Sequence, residues 1–180
     1  MNALTNIKQT FAGIKIRQTE KKLPPAHKKQ PVNTKSIGII FDADNVEDFI
    51  EVRELGKKFI KKGKQVTGIG FLEKKESYNE YLGIINHTVF NLTQLNWCGI
   101  PVATEVDNFI ATPFDLLIDL NYNSKFPLYY IARLSRAKFK LGPVNSFENF
   151  YDLSIEMKDI KNNRELIQNS LHYLGLIYNL

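Results

Sequence analysis

Apolar and polar residues follow two different patterns along the chain, and the change from one to the other falls at Ser36. In the leading segment, apolar residues recur three or four positions apart, which places them on one face of a helix: they are Leu4, Ile7, Phe11 and Ile14. Gly13 lowers the helix propensity, so this short helix needs a surface to dock on. Pro24 and Pro25 end it and predict an extended, polyproline-like segment.

From Ser36 onwards, the pattern predicts strands alternating with helices. "SIGIIFDA" is a compact apolar run typical of a strand buried on both faces. "DNVEDFIEVRELGKKFIKKG" has helical periodicity, with Asp44 or Asn45 as the N-cap and Gly63 as the residue that ends it. "QVTGIGFLEK" is a second strand, so the three segments predict a βαβ unit with parallel strands.

The remaining segments continue this alternation. Further strands are predicted in "HTVFNLTQL", "FDLLIDLN", "KFKLG" and, at or near a sheet edge, "FYDLSIEM". Helices are predicted in "YNEYLGIIN", "TEVDNFIAT", "FPLYYIARLSRA" and "NRELIQNSLHYLGLIYNL". We therefore predict a basic N-terminal arm over residues 1–35 and, over 36–180, one Rossmann-like three-layer α/β domain with a mostly parallel sheet.

Charge divides the chain at the same place as the apolar pattern. The net charge is +5, but residues 1–35 hold eight Lys and Arg against Glu20, which gives +7 and leaves −2 for the rest. The eight cations are Lys8, Lys15, Arg17, Lys21, Lys22, Lys28, Lys29 and Lys35. A basic arm on a nearly neutral body is typical of a tail that meets a polyanion, and the alternative is a solvated, disordered tail.

A second group of cations lies in "IARLSRAKFKLG", where Phe139 stands among Arg133, Arg136, Lys138 and Lys140. The helix dipole favours cations at a helix C-terminus, but four within eight positions exceed what it requires. Together with the arm, they are the predicted RNA-binding residues, in which Lys and Arg neutralise backbone phosphates without reading the base sequence.

The first strand is not followed by a phosphate-binding loop. The turn is the acidic "FDADNVED" rather than a glycine-rich stretch, and no GxxxxGK[ST] occurs, so dinucleotide and NTPase sites are disfavoured. Four acids there, Asp42, Asp44, Glu47 and Asp48, could form a magnesium site. Helix capping and the helix dipole account for three of the four without any ligand, so we predict no metal and no cofactor.

The cysteine and histidine residues indicate no catalytic site. Cys98 is the single cysteine, so it forms no intramolecular disulfide, and "NWCGIP" contains no local base for a nucleophile.

No apolar stretch approaches the roughly 18 residues that span a bilayer, and no secretory signal is recognised. We expect a cytoplasmic protein with no catalytic residue.

Four segments carry a resemblance to known proteins: "IGIIFDADNVEDF", "NWCGIP", "TPFDLLIDLN" and "LYYIARLSRAKFKLG". Over most of residues 36–180, the chain resembles an uncharacterised family of short bacterial Rossmann-like proteins, which implies the fold and no activity. Residues 114–142 are also similar to the first domain of heptosyltransferase-type glycosyltransferases, whose second domain is missing here. In layout, the chain is similar to many ribosomal proteins, whose basic extensions thread into rRNA.

We therefore expect a non-enzymatic RNA-binding protein, namely a lineage-specific component of the large ribosomal subunit or a factor bound to it. Its expected partners are rRNA or other structured RNA and neighbouring ribosomal proteins, with no small-molecule substrate. The stripe from Leu4 to Ile14 is expected to dock on protein or on the body itself. One alternative is a small enzyme that binds a nucleotide or sugar near Asp42, Asp44 and Asp119, either with or without a metal ion. Another is a basic amphipathic helix that binds anionic lipid.

Overall fold

The computed structural model describes residues 3–22, 33–73, 86–144 and 150–178, with side chains except those of 3–9 and 176–178. The helices are α1 (Ala3–Lys22), α2 (Val46–Lys61), α3 (Thr104–Ala111), α4 (Phe126–Leu134) and α5 (Asn163–Tyr178). The strands are β1 (Ser36–Asp42), β2 (Gln65–Leu72), β3 (His87–Asn91), β4 (Leu116–Leu120), β5 (Lys140–Pro143) and β6 (Leu153–Ile155). The extended segment with Lys28 and Lys29, and the helix predicted in "YNEYLGIIN" apart from its last residue, lie outside the described residues.

Within the described residues, six strands form one sheet in the order β3-β2-β1-β4-β5-β6. Every pairing is parallel, and β6 lies at the sheet edge. Helices cover both faces, so the predicted Rossmann-like three-layer α/β architecture is confirmed. The order reverses between β1 and β4, because the first three strands extend the sheet to one side and the last three to the other.

The central strands are buried on both faces, as their continuous apolar runs predict. In β1, Ile39 and Phe41 pack with α2 and α5, whereas Ile40 packs with α1, α3 and α4. All three side chains are fully buried. Successive strand residues point to opposite faces, so each face of β1 contributes to a separate hydrophobic layer.

The termini of α2 follow the predicted capping chemistry. Asn45, rather than Asp44, is the N-cap, and its Oδ1 accepts a 2.9 Å hydrogen bond from the backbone N–H of Glu47. After the helix, Gly63 has a φ of 75°, a left-handed conformation that glycine adopts without a Cβ clash.

The arm helix is longer than the short helix predicted for it, since α1 spans 20 residues. It docks on the body through Ala12 and Ile16, which are buried in the layer that contains α4. Glu20 adds an ion pair with Arg133 near the end of α4. Phe11 and Ile14, from the apolar stripe predicted to dock, remain largely exposed. None of the described helices has the length and hydropathy needed to cross a membrane.

Two glycines in β2 leave space for aromatic rings from the adjacent strands. A Cβ on Gly68 would lie 2.4 Å from the His87 ring, and one on Gly70 would lie 2.4 Å from the ring of Phe41. These two rings also contact Phe49 of α2. The glycines therefore admit a layer of rings between the sheet and the helix, rather than the helix itself.

We predict that Gly70→Ala destabilises the protein by about 1–3 kcal/mol, because the added methyl group overpacks the contact with Phe41. Gly13→Ala is the matched control, since its Cβ would have nothing within 4 Å and its position is helical. The control is expected to stabilise the protein by up to about 1 kcal/mol. Urea unfolding followed by circular dichroism measures both, and equal midpoints for Gly70→Ala and the wild type would refute this account.

Candidate functional site

The reversal in strand order places a crevice at the carboxyl ends of β1 and β4, where open α/β sheets bind their ligands. Asp42 ends β1, and Asp44 follows it before α2. On the other side, the chain leaves β4 through Asn121 and Asn123 and reaches Lys125 at the start of α4. Two acids, two amides and one cation therefore meet at the position that a ligand usually occupies.

Lys125 occupies the centre of this group. Its Nζ lies 2.8 Å from Oδ1 of Asp42 and also forms an ion pair with Asp44. The Lys125 side chain is only 9% exposed and that of Asp42 only 3%. Burial acts to lower the pKa of Lys125, but the hydrogen bonds it donates to the two carboxylates outweigh burial and raise it. Lys125 is therefore held as a cation that neutralises both acids.

The two asparagines hold the lysine in position. Asn123 donates from Nδ2 to the second oxygen of Asp42 at 2.7 Å. Asn121 accepts the backbone N–H of Lys125 at 2.8 Å and donates from Nδ2 to the Lys125 carbonyl at 2.9 Å. Both oxygens of the buried Asp42 carboxylate thus have donors, which a buried charge requires. We call these five residues, Asp42, Asp44, Asn121, Asn123 and Lys125, the Lys125 cluster.

Asp119, the third acid of the alternative enzyme site, has a different partner. The hydroxyl of Tyr151 donates to its Oδ2 at 2.5 Å, and the N–H of Asn121 donates to its Oδ1 at 2.9 Å. Burial raises the pKa of Asp119 to about 7, against the lowering effect of these two hydrogen bonds. Across the described part of the chain, no hydrogen bond joins Asp119 to Asp42 or Asp44, and no three His, Cys, Asp or Glu side chains converge to hold a metal ion.

A cavity of about 440 Å³ adjoins the Lys125 cluster. Its walls come from α1, the end of β2, the segment after β3 and the start of α4, and they include Phe71, Trp97 and Phe126. Of its described lining residues, Glu73 alone is charged, and Lys125 lies 3.9 Å from that carboxylate and 5.7 Å from the centre of the Phe71 ring. The volume lies within the range of roughly 300–1,000 Å³ that is typical of ligand sites.

The "NWCGIP" segment forms a rigid turn at the mouth of this cavity. Asn96 Oδ1 accepts from the backbone N–H groups of Cys98, at 3.1 Å, and Ile100, at 3.0 Å. The thiol of Cys98 also donates to it at 3.0 Å, and the half-buried Cys98 lines the cavity. Gly99, with a φ of 82°, completes the turn. These bonds fix the backbone on both sides of Trp97.

Trp97 and the outer side of α1 form one exposed surface. Trp97 is 62% exposed and Phe11 is 52% exposed, and their ring centroids are 5.5 Å apart in an edge-to-face arrangement. Lys15 and Lys22 lie on the same side of the helix as Phe11, four and eleven residues later. We call the exposed residues of this surface the α1 face: Phe11, Ile14, Lys15, Arg17, Lys21, Lys22 and Trp97.

The second group of predicted RNA-binding cations makes contacts within the protein. Arg133 pairs with Glu20, and Lys138 Nζ lies 2.6 Å from Asp115. Lys140 Nζ donates to the carbonyls of Ala132 and Arg133 at the end of α4, both at 2.9 Å. Arg136 is half-buried, and its Nε is buried without a hydrogen bond among the described residues.

The predicted arm residues are distributed differently. Lys15, Arg17, Lys21 and Lys22 are exposed on α1, and Lys35 is exposed just before β1. Lys8, Leu4 and Ile7 lie in α1, but their side chains are outside the described residues. The structure therefore groups part of the arm on one surface, and the second group meets the arm through the ion pair between Arg133 and Glu20.

Sequence reasoning missed the residues that organise this site, chiefly Lys125, Tyr151 and Glu73, and it gave no role to Trp97 in "NWCGIP". One signal was available for Lys125. Acids after the first strand need a counter-ion, and Lys125 is a cation that follows a later buried strand. Only the strand order shows that the two strands are adjacent.

A family model described as a family of unknown function, DUF6913, matches residues 8–177. Among curated proteins nothing matches the chain. No solved structure matches it either.

We predict that Lys125→Met destabilises the protein by about 3–5 kcal/mol, because it leaves the buried Asp42 carboxylate without its cation. Adding Asp42→Asn to this variant is expected to recover part of the loss. Lys57→Met is the matched control, since the Lys57–Glu54 ion pair is exposed on α2 and contributes at most about 1 kcal/mol. Chemical denaturation measures all three, and equal losses for the two lysines would contradict the role of the Lys125 cluster.

We predict that Asp119 makes the stability of the protein depend on pH. Its folded pKa of about 7 lies above the usual 3.8, so the folded state binds more protons between these values. The stability it contributes is fully present below pH 3.8 and is lost as the pH rises through 7. Asp119→Asn is expected to flatten this fall. Thermal unfolding from about pH 5 to 8 tests it, with the exposed Asp159→Asn as a control that keeps the wild-type slope.

Proposed function

The chain belongs to the DUF6913 family, whose function is unknown, and we propose that it is a non-enzymatic RNA-binding protein of the cytoplasm. In this proposal it is a component of the large ribosomal subunit or a factor bound to it. Its partners are rRNA or another structured RNA and neighbouring ribosomal proteins. The observation that carries the proposal is the α1 face, where solvent-exposed cations and solvent-exposed aromatic rings share one surface.

Among the residues that the structure describes, the cations of the α1 face have no acidic partners. Glu20 is the one acid of α1, and Arg133 of the body binds it. Within the described residues, Lys15, Lys21 and Lys22 form no ion pair, and neither does Arg17. Cations arranged in this way favour contact with phosphates, and the release of counterions on binding makes the affinity fall with salt.

The aromatic pair supplies the second element of such a surface. Proteins that bind single-stranded nucleic acid combine a cationic track with aromatic side chains on which the bases stack. The turn around Asn96 fixes the backbone at Trp97, and Phe11 lies edge-to-face against its ring, so a base that stacks on Trp97 meets a ring that is already in contact with α1. Lys15 lies one helical turn after Phe11, which places a phosphate ligand beside the rings.

The cations of the body contribute less to the proposed RNA contact than their number suggests. Arg133, Lys138 and Lys140 are bound by a carboxylate or by helix carbonyls, and these contacts would have to break before they could bind RNA. The proposed contact therefore centres on α1 and the arm, with the body holding α1 in place through Ala12 and Ile16.

The enzyme alternative has weaker support from the geometry. A nucleotide phosphate in the crevice would meet Asp42 and Asp44, whose countercharge on Lys125 is already engaged. Asp119 is buried and bonded to Tyr151, away from solvent. The lipid alternative uses the same α1 face, and the experiment below distinguishes it.

We predict that Lys15→Gln/Lys22→Gln weakens RNA binding and lowers the slope of log affinity against log salt by about 0.7–0.9 for each lysine. The matched control is Lys58→Gln/Lys61→Gln, which removes the same charge from α2 on the opposite face of the sheet. Fluorescence anisotropy with an rRNA fragment at several salt concentrations measures the slope. Co-sedimentation with ribosomes is expected to fall in parallel.

Point substitutions are preferable to deletion of the arm, because deletion would uncover the surface on which Ala12 and Ile16 are buried. If both double variants bind RNA as the wild type does, the α1 face is not the contact. Flotation with vesicles of anionic lipid, together with an absence of RNA binding, would favour the lipid alternative and overturn the proposal.

A further inference from the structure

The cavity beside the Lys125 cluster has the walls of a site for a flat ring. Phe71 and Phe126 line it, and Trp97 stands at its mouth with Phe11 against it. Leu92 and Leu95 supply further apolar lining. Such a space suits a planar group that arrives from the α1 face.

The charge of the described cavity lining disfavours a phosphate group. Among the described residues that line it, Glu73 alone is charged, and Asp44 is adjacent to it, accepting the Glu73 N–H at 2.7 Å. In the part of the chain that the structure describes, the cation nearest to Glu73 is Lys125, which is bound to Asp42 and Asp44. A neutral group that donates hydrogen bonds is therefore favoured, and its phosphate must stay outside.

In the described lining, two polar side chains remain to bind such a ring. The Glu73 carboxylate is about half exposed, with its backbone fixed by Asp44. Asn96 uses its carbonyl oxygen in the turn, and among the described residues its Nδ2 makes no hydrogen bond. The cavity thus offers a carboxylate acceptor and an amide donor.

Resting on the proposed function, we propose that this cavity binds one unstacked guanine base of a single-stranded RNA segment. Guanine carries two adjacent donors on its Watson–Crick edge, N1–H and the N2 amino group, which match the two oxygens of a carboxylate. In adenine, cytosine and uracil a donor has an acceptor beside it, which would face the second carboxylate oxygen. RNA-binding proteins commonly extrude single-stranded bases, stack them on aromatic rings and bind this edge. Glu73 is the specificity residue, and Lys15 and Lys22 hold the phosphates outside.

The chain provides its own probe, because Trp97 is its single tryptophan, and fluorescence excited at wavelengths that the eight tyrosines do not absorb reports on this mouth alone. Uridine heptamers with guanine, adenine, cytosine or uracil at the centre are titrated against the wild type at low salt. The guanine heptamer is expected to bind about tenfold more tightly than the others, since a bidentate base contact discriminates by roughly 1–3 kcal/mol. Its binding is expected to quench Trp97 fluorescence.

Glu73→Gln replaces the acceptor pair with an amide and is expected to reduce the guanine preference to within about twofold. Its affinity for the all-uridine heptamer should match or slightly exceed that of the wild type. The control is Glu156→Gln, which removes the same charge at the exposed end of the β6 edge strand and should keep the preference.

Two failures are distinguishable. If the wild type binds all four heptamers equally, or if Glu73→Gln keeps the guanine preference, the base site is overturned while RNA binding by the α1 face stands. If the wild type binds no heptamer and no rRNA fragment at low salt, the proposed function fails and the base site with it.

Discussion

The ion pairs that Lys125 forms with Asp42 and Asp44 are the constraint on which the rest of this structure depends. Strand order forces the acidic end of β1 against the end of β4, and burial makes the isolated carboxylate of Asp42 costly. A lysine from the loop after β4 removes that cost and also fixes the backbone at the first turn of α4. Where related sheets leave an open crevice, this chain has an internal contact.

Two features of the surface follow from the position of α4. α1 docks on the layer that contains α4, with Ala12 buried at the start of the contact and Glu20 paired to Arg133 at its end. The two helices therefore run in the same direction across the sheet. Phe126, next to Lys125, forms a wall of the cavity. The Lys125 cluster thus acts on the α1 face and the cavity through the placement of one helix.

Much of the fold was predictable from the sequence because its signals are local. The apolar run of β1, the cap at Asn45 and the stop at Gly63 each act within a few residues. The buried side of α1 could not be predicted in this way. Phe11 and Ile14 have the helical period and the larger apolar area, yet the smaller Ala12 faces the body. Which side of a helix is buried depends on the shape of the surface it meets, and that surface is assembled from distant segments.

The site was less predictable than the fold for a related reason. Charge along the chain located the cations but not their partners, and Arg133 and Lys138 have acids that are 113 and 23 positions away in sequence. Arg133 neutralises Glu20, the one acid of α1, so the cations of α1 keep their net positive charge. Because α1 rises about 1.5 Å per residue, Lys22 lies about 16 Å along the helix from Phe11. A strand with one base in the cavity would pass Lys15 first and Lys22 further on. The neutralised crevice and the cationic helix therefore favour a nucleic acid that places its bases and its phosphates on different parts of one surface.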